Sequence, residues 1–360
     1  MYEPQLVAQA LKKWFVAVQR DLPWRRTRDP YAIWVSEVML QQTRVDTVLA
    51  YYQRFMDRFP TLEMLATSSL DDVLTLWQGL GYYSRARNLQ AAARYLYTQL
   101  DGRWPRTRKE WLALPGVGEY TAGAVLSIAF DQPEPAIDGN VRRVVARLLD
   151  YDQDVMRAEG RRLIHDYVAS LLGHESPRVL SQALMELGAT ICVPSEPRCD
   201  RCPLKERCLA RTRGTQGERP VKRLKRPLAE RLYLAAYVEG QEGILVLRRI
   251  PRGFLGGLWE LPIMQAEGAK EQPRQLIGRL AQILDVACEL DGQVSAVSHT
   301  YTHFRQHITV FRCRIEGKLR PDTPWDQYHW LRPDQVSAFA LTGATVKILR
   351  SVGWLPLLGV

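Results

Sequence analysis

The chain has 360 residues, a formal net charge of +10 and six cysteines, with 46% hydrophobic and 24% charged residues. That length predicts about two domains, each large enough to bury a core, and the apolar content is that of an ordinary globular protein. No 18-residue apolar run is present, which excludes a membrane-spanning helix, and the opening MYEPQLVAQALKKWF lacks the apolar core and small-residue cleavage site of a signal peptide. A cytoplasmic, reducing compartment is therefore expected, where disulfides are disfavoured.

The first part of the chain carries helical spacing. LVAQALKKWFVAV (6–18) places Leu6, Ala10, Trp14 and Val18 on one stripe. YAIWVSEVMLQQTRVDTVLAYYQRFMDRF (31–59) reads as one long, mostly apolar helical stretch. Ser69 with Asp72 predicts a capping box before VLTLW. TAGAVLSIAF, VRRVVARLLD, RRLIHDYVASLL and VLSQALMELGATI continue the pattern. At 114–125, LPGVGEYTAGAV interrupts it. Pro115 can stop a helix, Gly116 and Gly118 permit backbone angles closed to other residues, and a new helix should begin near Tyr120. Such a turn offers N–H groups to a phosphate, although an ordinary interhelical turn has the same appearance.

Next come Cys192, Cys199, Cys202 and Cys208, spaced C-x6-C-x2-C-x5-C; the other two cysteines are Cys288 and Cys313. Four soft thiolates so close together point to a tetrahedral zinc or an iron–sulfur cluster. Only one Cys-x2-Cys knuckle exists, and the wider flanking gaps suit a cubane better than one ion. Two disulfides or four buried thiols are the plainer alternatives. The charge is concentrated just beyond, with +7 of the net +10 in residues 201–230. This strip (Arg201, Lys205, Arg207, Arg211, Arg213, Arg219, Lys222, Arg223, Lys225, Arg226) suggests a polyanion such as nucleic acid, or else a solvated linker. Its Gly, Pro and Thr content also marks a domain boundary. The pattern then becomes mixed. LYLAAYV (232–238), GILVLRRI (243–250) and HITVFRCRI (307–315) read as strands, and RQLIGRLAQIL (274–284) and ATVKILRSV (344–352) as helices.

The hairpin LPGVGEYTAGAV, an aspartate about 20 residues on in PAIDGNVRRV, and C-x6-C-x2-C-x5-C occur in that order. Together they resemble the helix–hairpin–helix superfamily of DNA glycosylases that includes endonuclease III. LPWRRTRDPYAIWVSEVMLQQTRV (22–45), GLGYYSRARNL (79–89) and AIDGNVRRV are similar to its MutY-type adenine-specific branch. The resemblance is dense over residues 1–210 and looser over 230–355. It implies an all-α catalytic domain over 1–213, with the hairpin at 114–125 and one 4Fe–4S cluster on Cys192, Cys199, Cys202 and Cys208. A basic linker (214–230) and an α+β Nudix-like domain (231–360) would follow.

Breaking a purine–deoxyribose bond needs an acid and a carboxylate, as in glycoside hydrolysis. The resemblance makes Glu37 the acid that protonates adenine at N7. Its apolar neighbours in WVSEVML should raise its pKa and keep it protonated. Asp138 should stay ionised and support the oxocarbenium ion or form a covalent sugar intermediate, with Asn140 orienting it or the sugar. Read without the resemblance, Glu37 would be a helix-face glutamate and Asp138 an N-cap. Endonuclease III-type lyases carry a nucleophilic lysine where this chain has Tyr120, so a monofunctional enzyme that leaves an abasic site is expected. Leu22, Trp24, Arg25, Leu40, Gln182 and Met185 match adenine-pocket positions. Gln42 and Tyr82 would fill the emptied stack, with Gln41 and Thr43 nearby. Arg85 and Arg87 would meet phosphates, as would the hairpin backbone at Gly116, Val117 and Gly118.

In the C-terminal region GGLWELP (256–262) fits a Nudix-like fold, but the R-E-x-x-E-E metal cluster is absent from EQPRQLIGRLAQILD (271–285), so pyrophosphate hydrolysis is not expected. VSHTYTHFRQH (297–307) resembles the loop that reads 8-oxoguanine, with Tyr301-Thr302-His303 in place of the family's Phe-Ser-His. The implied partner is double-stranded DNA with 8-oxoguanine·adenine or guanine·adenine mispairs, met by a monomeric, nucleoid-associated bacterial enzyme. Two other readings are an endonuclease III-like lyase on oxidised pyrimidines, disfavoured by Tyr120, and a noncatalytic iron–sulfur damage sensor, disfavoured by Glu37 with Asp138.

Overall fold

A computed structural model describes residues 3–221, 227–267 and 272–356. The chain groups into two compact units: Met1–Thr67 with Asn88–Lys225, and Ser68–Arg87 with Arg226–Val360. Lys222, Arg223, Lys225 and Arg226 of the basic strip lie outside the described residues.

The first unit is helical. Helix Pro30–Leu40 starts where Asp29 accepts from the N–H groups of Tyr31 (3.0 Å) and Ala32 (3.3 Å), with Pro30 in the first turn. Every residue from Tyr31 to Met39 is buried, so this helix is core on all sides. The stretch 31–59 is not one helix. It breaks at Gln41–Arg44, where Gln42 takes φ +57°, and resumes as Val45–Arg58. The second half is amphipathic and buries only Val48, Tyr52 and Phe55. The chain must turn to pass from a helix buried all round to one with a solvent face. Helices Glu119–Phe130 and Pro177–Thr190 pack on one another, and the first also packs on Pro30–Leu40. Gly123 lets the segment at Pro135–Ala136 lie directly on helix Glu119–Phe130, because a Cβ there would lie 2.1 Å from the Pro135 carbonyl oxygen.

The second unit contains two sheets. One has the strand order Ile263–Gln265, Ala229–Tyr237, Phe304–Glu316, Ala287–Thr300, with only the central pair parallel. The other is built round Gly243–Arg249, which pairs antiparallel with Trp259–Glu260 and Trp325–Leu331. Helix Pro273–Leu284 buries Ile277, Leu280 and Leu284 in one core, and Gly343–Ser351 buries Ile348 and Leu349 in another. Ser68–Arg87 belongs here through side-chain contacts. Asp71 pairs with Arg248 at 3.1 Å, and the Arg87 guanidinium donates to the Gly256 (2.7 Å) and Gly253 (3.2 Å) carbonyls. Ser69 caps helix Leu70–Trp77 by accepting from the Asp72 N–H at 3.0 Å. No described helix is long and apolar enough to cross a membrane.

Asp29→Ala removes two bonds from the start of helix Pro30–Leu40. Urea denaturation should show a loss of about 1 kcal/mol with an unchanged m-value.

Candidate active site

Two helix N-termini, two further helices and one short turn converge on a cavity of about 140 Å³. Helix Pro30–Leu40 presents Glu37 and Leu40, and helix Glu119–Phe130 presents Tyr120 from its first turn. The start of helix Gly139–Leu148 presents Asp138 and Asn140. Helix Pro177–Thr190 adds Gln182 and Met185, and the turn Pro23–Arg25 adds Trp24 and Arg25 beside Leu22. Thr43 also lines this cavity. Roughly 150 Å³ suffices for a buried benzene ring, so a flat heterocycle entering from an open mouth fits.

Glu37 is 4% exposed. Burial raises its pKa to about 7; the hydrogen bond from Tyr120 opposes the rise, the Asp138 charge adds to it and Arg25 opposes it. The Tyr120 hydroxyl donates to Glu37 Oε2 and lies 3.7 Å from Met185 Sδ. Burial pushes the Tyr120 phenol well up, aided by both carboxylates, so it stays a donor. Asp138 is the N-cap of its helix. Its Oδ1 accepts from the Val141 N–H at 2.7 Å, and its Oδ2 accepts from Asn140 Nδ2 at 2.8 Å. Burial raises the Asp138 pKa too, against these hydrogen bonds and Arg143, so the ionised form has donors that the buried Glu37 lacks.

Several neighbours carry no sequence signal that singles them out. Glu186, 2% exposed, accepts from Arg20 Nε and Nη2 and from Arg25 Nη2, each at 2.7 Å. Burial alone would raise it, but the two guanidiniums bring its pKa down to about 2. It therefore fixes Arg25 at the cavity wall. Gln182 gives its amide N–H to the Arg178 carbonyl at 3.0 Å. Arg143 donates to Asn140 Oδ1 (2.7 Å), the Gly188 carbonyl (2.8 Å) and the Cys192 carbonyl (2.7 Å). It thus joins the Asp138 helix start to the first cysteine. The i, i+3 spacing of Asn140 and Arg143 on one helix was the only clue.

Cys192, Cys199, Cys202 and Cys208 are free thiols lining one small cavity with Arg147 and Arg211. Arg147, 2% exposed, donates to Cys192 Sγ at 3.4 Å and to the Val193 (2.7 Å) and Pro194 (3.0 Å) carbonyls. The Leu204 N–H meets Cys202 Sγ at 3.4 Å. Burial raises the Cys202 thiol to about 12, and a bound cation would favour its thiolate. Among the described residues no three His, Cys, Asp or Glu side chains converge as on a single ion. Cys288 and Cys313 lie apart, on adjacent strands of the second unit. The basic strip is partly neutralised: Arg213 (3.1 Å) and Arg219 (2.9 Å) both pair with Asp150.

At the hairpin, Gly116 has φ +72°, and a Cβ there would lie 2.4 Å from Asn88 Cβ. Gly118, expected to need an unusual backbone, has φ −105° and open space round it; it is simply the N-cap of Glu119–Phe130. Val117 closes the turn onto the Leu114 carbonyl at 3.2 Å. Gln41 Nε2 donates to Thr121 Oγ1 at 3.0 Å, and exposed Gln42 projects from its left-handed turn.

Within the second unit, Tyr82 (φ +50°, 42% exposed) meets Thr302 Oγ1 at 2.8 Å through its hydroxyl. Thr302 and His303 are exposed. Tyr301 is not a projecting wedge; its ring packs against His299 (4.6 Å), Phe254 (4.9 Å) and Phe304 (5.1 Å). Arg85, expected at a phosphate, is 8% exposed, lies over the Trp77 and Tyr82 rings and donates to the Gly81 carbonyl at 3.1 Å. Arg87 is likewise engaged with the backbone of the second unit.

Residues 35–166 match the model of the HhH-GPD superfamily of base excision DNA repair proteins, and residues 233–351 match that of the NUDIX domain. An adenine DNA glycosylase of Rattus norvegicus is 35% identical over 94% of this chain and 76% of its own length. One of Homo sapiens is 34% identical over 95% and 73%. Among solved structures, a thermostable thymine-DNA glycosylase has a TM-score of 0.54 at 28% identity, covering 59% of this chain and 97% of its own. A non-covalent endonuclease III–DNA complex has a TM-score of 0.50 at 25% identity, covering 60% and 100%.

A carboxyl group whose pKa is raised by burial binds its proton more tightly in the folded chain. Its contribution to stability is intact below about pH 4.5 and is lost as pH rises through about 7. Glu37→Gln should therefore be the more stable protein at pH 8, by up to about 3 kcal/mol, with the difference vanishing near pH 4. Urea denaturation at the two pH values measures this.

Proposed function

This chain belongs to the adenine DNA glycosylases of the HhH-GPD superfamily, and on that premise we propose that it removes adenine paired with 8-oxoguanine or guanine, with Glu37 as the acid and Asp138 as the stabilising carboxylate. It is a base excision repair enzyme that acts on DNA. The observation that carries the residue roles is Glu37: a buried carboxyl with a pKa near 7, hydrogen-bonded by Tyr120, in one cavity with Asp138.

In this reading a flipped adenine enters among Leu22, Trp24, Leu40 and Met185. Protonated Glu37 gives its proton to N7. The C1′–N9 bond breaks, and its electron pair leaves with the base. Ionised Asp138, steadied by Asn140 and the Val141 N–H, faces the oxocarbenium ion or bonds to C1′; water then adds to C1′, releasing the Asp138 oxygen if it had bonded, and gives its proton to the Glu37 carboxylate. Tyr120 keeps Glu37 aimed and, having no amine, forms no Schiff base. Gln42 and Tyr82 would fill the emptied stack, and Gly116 and Gly118 would offer their turn to a phosphate. Thr302, rather than the packed Tyr301, is the better-placed reader of the lesion, with His303 beside it.

The cysteine cavity fits a 4Fe–4S cluster. Four soft sulfurs share one space, meet N–H donors, and need no common point, since a cubane gives each thiolate its own iron. Bound there, the cluster would supply four iron–thiolate bonds that fold the loop round itself. The helical catalytic unit runs to Lys225, so most of the basic linker groups with it, and the protein is read as a monomer.

Glu37→Gln should lower single-turnover adenine excision from an 8-oxoguanine·adenine duplex by at least ~100-fold, while duplex affinity persists. Wild-type excision should fall as pH rises above about 7. Substantial release by the variant removes Glu37 from this role. The strand should stay intact until alkali is added, and borohydride should trap no adduct.

Thr302→Ala should narrow the preference for 8-oxoguanine over guanine by about 5- to 15-fold, the worth of one hydrogen bond. Equal slowing on both duplexes would make the loop a general clamp. Purified protein should carry about four irons per chain and absorb broadly in the visible. Cys199→Ser should lower the iron content and weaken duplex binding. One stoichiometric zinc in a colourless protein contradicts the cluster.

A further inference from the structure

Helix Pro177–Thr190 carries Arg178, Gln182 and Glu186 at four-residue spacing, which puts them on one face. Two of them grip the turn that follows Arg20. Arg178 holds its backbone: Nη2 donates to the carbonyls of Arg25 (3.3 Å) and Thr27 (2.7 Å). Glu186 holds side chains instead. Its Oε2 accepts from both Arg20 Nη2 and Arg25 Nη2, and its Oε1 accepts from Arg20 Nε, each at 2.7 Å. The Arg25 side chain is 10% exposed, with its guanidinium 5.2 Å from the Phe15 ring centre and its Nη1 on the Arg20 carbonyl at 3.1 Å.

A guanidinium so far from water needs a carboxylate beside it. Besides Glu186, two carboxyl groups line the cavity that Arg25 lines, Glu37 and Asp138. Asp138 already accepts from the Val141 N–H and from Asn140, with Arg143 behind it. Glu37 faces the Tyr120 hydroxyl from one helix, Asp138 from another and Arg25 from the turn. Arg20 stands on the far side of Glu186, where Asp46 also acts on it. An Arg25 side chain released from Glu186 would find its next carboxyl at Glu37, and a guanidinium there favours the ionised form.

We propose that Glu186 is a positioning residue that keeps the Arg25 guanidinium off the Glu37 carboxyl, so that the acid holds its proton into the neutral range. Arg178 anchors the Arg25 backbone independently, so loss of the Glu186 charge frees the side chain and leaves the turn in place. The consequence for excision rests on reading Glu37 as the acid; the consequence for the Glu37 proton does not.

Two measurements on the full chain separate these. One is the pH dependence of single-turnover excision from an 8-oxoguanine·adenine duplex. The other is the infrared difference between each protein and its Glu37→Gln counterpart, which reads the protonated Glu37 carbonyl directly. Glu186→Gln should move both midpoints down by about one pH unit, because an acid that ionises more readily loses its proton at lower pH. Glu186→Asp, which keeps the charge, should return them toward the wild-type values. Arg25→Gln should move them up, since it removes a cation that opposes the rise at Glu37. Adding Glu186→Gln to Arg25→Gln should then change nothing further. That double variant serves where Glu186→Gln alone does not fold, because it leaves one unpaired guanidinium rather than two. An infrared midpoint that moves while the excision profile stays put would uphold the proposal and remove Glu37 as the acid. An unmoved infrared midpoint in Glu186→Gln, an equal fall in Glu186→Asp, or a fall that persists without Arg25 would overturn it.

Discussion

A carboxyl group holds its proton near neutral pH when it is kept from water, and the burial of Glu37 that does this involves most of the first unit. Glu37 sits in a helix buried on every side, so no rotation of that helix could hydrate it. The helix must therefore be enclosed by others, and Glu119–Phe130 packs against it while leaving room for no Cβ at Gly123 against the Pro135–Ala136 backbone on another side. The same helix brings Tyr120, whose hydroxyl satisfies the acid without ionising it. A charge-bearing donor in that place would pull the pKa back toward its ordinary value. Arg25, whose charge opposes the rise at Glu37, is itself paired with Glu186.

Asp138, proposed as the ionised partner, is also raised by burial, but its hydrogen bonds work against that rise. It ends a loop and begins a helix, so a backbone N–H and the Asn140 amide point at it before any substrate arrives. The N-cap reading and the catalytic reading describe the same atoms: the bonds that start the helix are those that favour a carboxylate. Arg143 continues this order outward, tying Asn140 to the carbonyls of Gly188 and Cys192, and Arg147 grips Cys192 from one helical turn further on. A fold change at the cysteine loop would therefore reach the orientation of Asp138 through two arginines of one helix. Gly188 belongs to this design, since a Cβ there would lie 2.5 Å from Asn140 Cβ.

What could be read from the sequence was what depends on local spacing. The hairpin, the cysteine quartet, Glu37 amid apolar residues and the chief strands and helices of the second unit all follow from neighbours in the chain. What could not be read depends on partners far along it. Glu186 matters through Arg20 and Arg25, some 160 residues away. The break at Gln42 reflects the difference between burial on all sides and burial on one stripe, which an apolar count does not separate. Strand Ala287–Thr300 escaped notice because its residues are half-exposed or exposed throughout, leaving little apolar alternation. Arg85 and Arg87, which the resemblance sets at phosphates, have partners the sequence did not suggest: one lies over aromatic rings and the other donates to a loop backbone.

Ser68–Arg87 is the least expected assignment, because it lies inside the sequence span of the helical unit and packs with the other. It carries Tyr82, which the resemblance assigns to the DNA stack. A ring that must enter a gap between bases needs a rigid base of its own. Tyr82 has a left-handed backbone, Arg85 stacked on its ring and Thr302 bonded to its hydroxyl. The hydroxyl that binds Tyr82 is also the one proposed to read the lesion. An oxygen can accept from Tyr82 while donating to a base, or exchange one partner for the other. On the proposed reading, the position of the stacking ring and the recognition of the base across from the adenine would in either case become one event. The C-terminal unit would then do more than add affinity: it would hold the tool that opens the duplex and release or fix it according to what Thr302 meets.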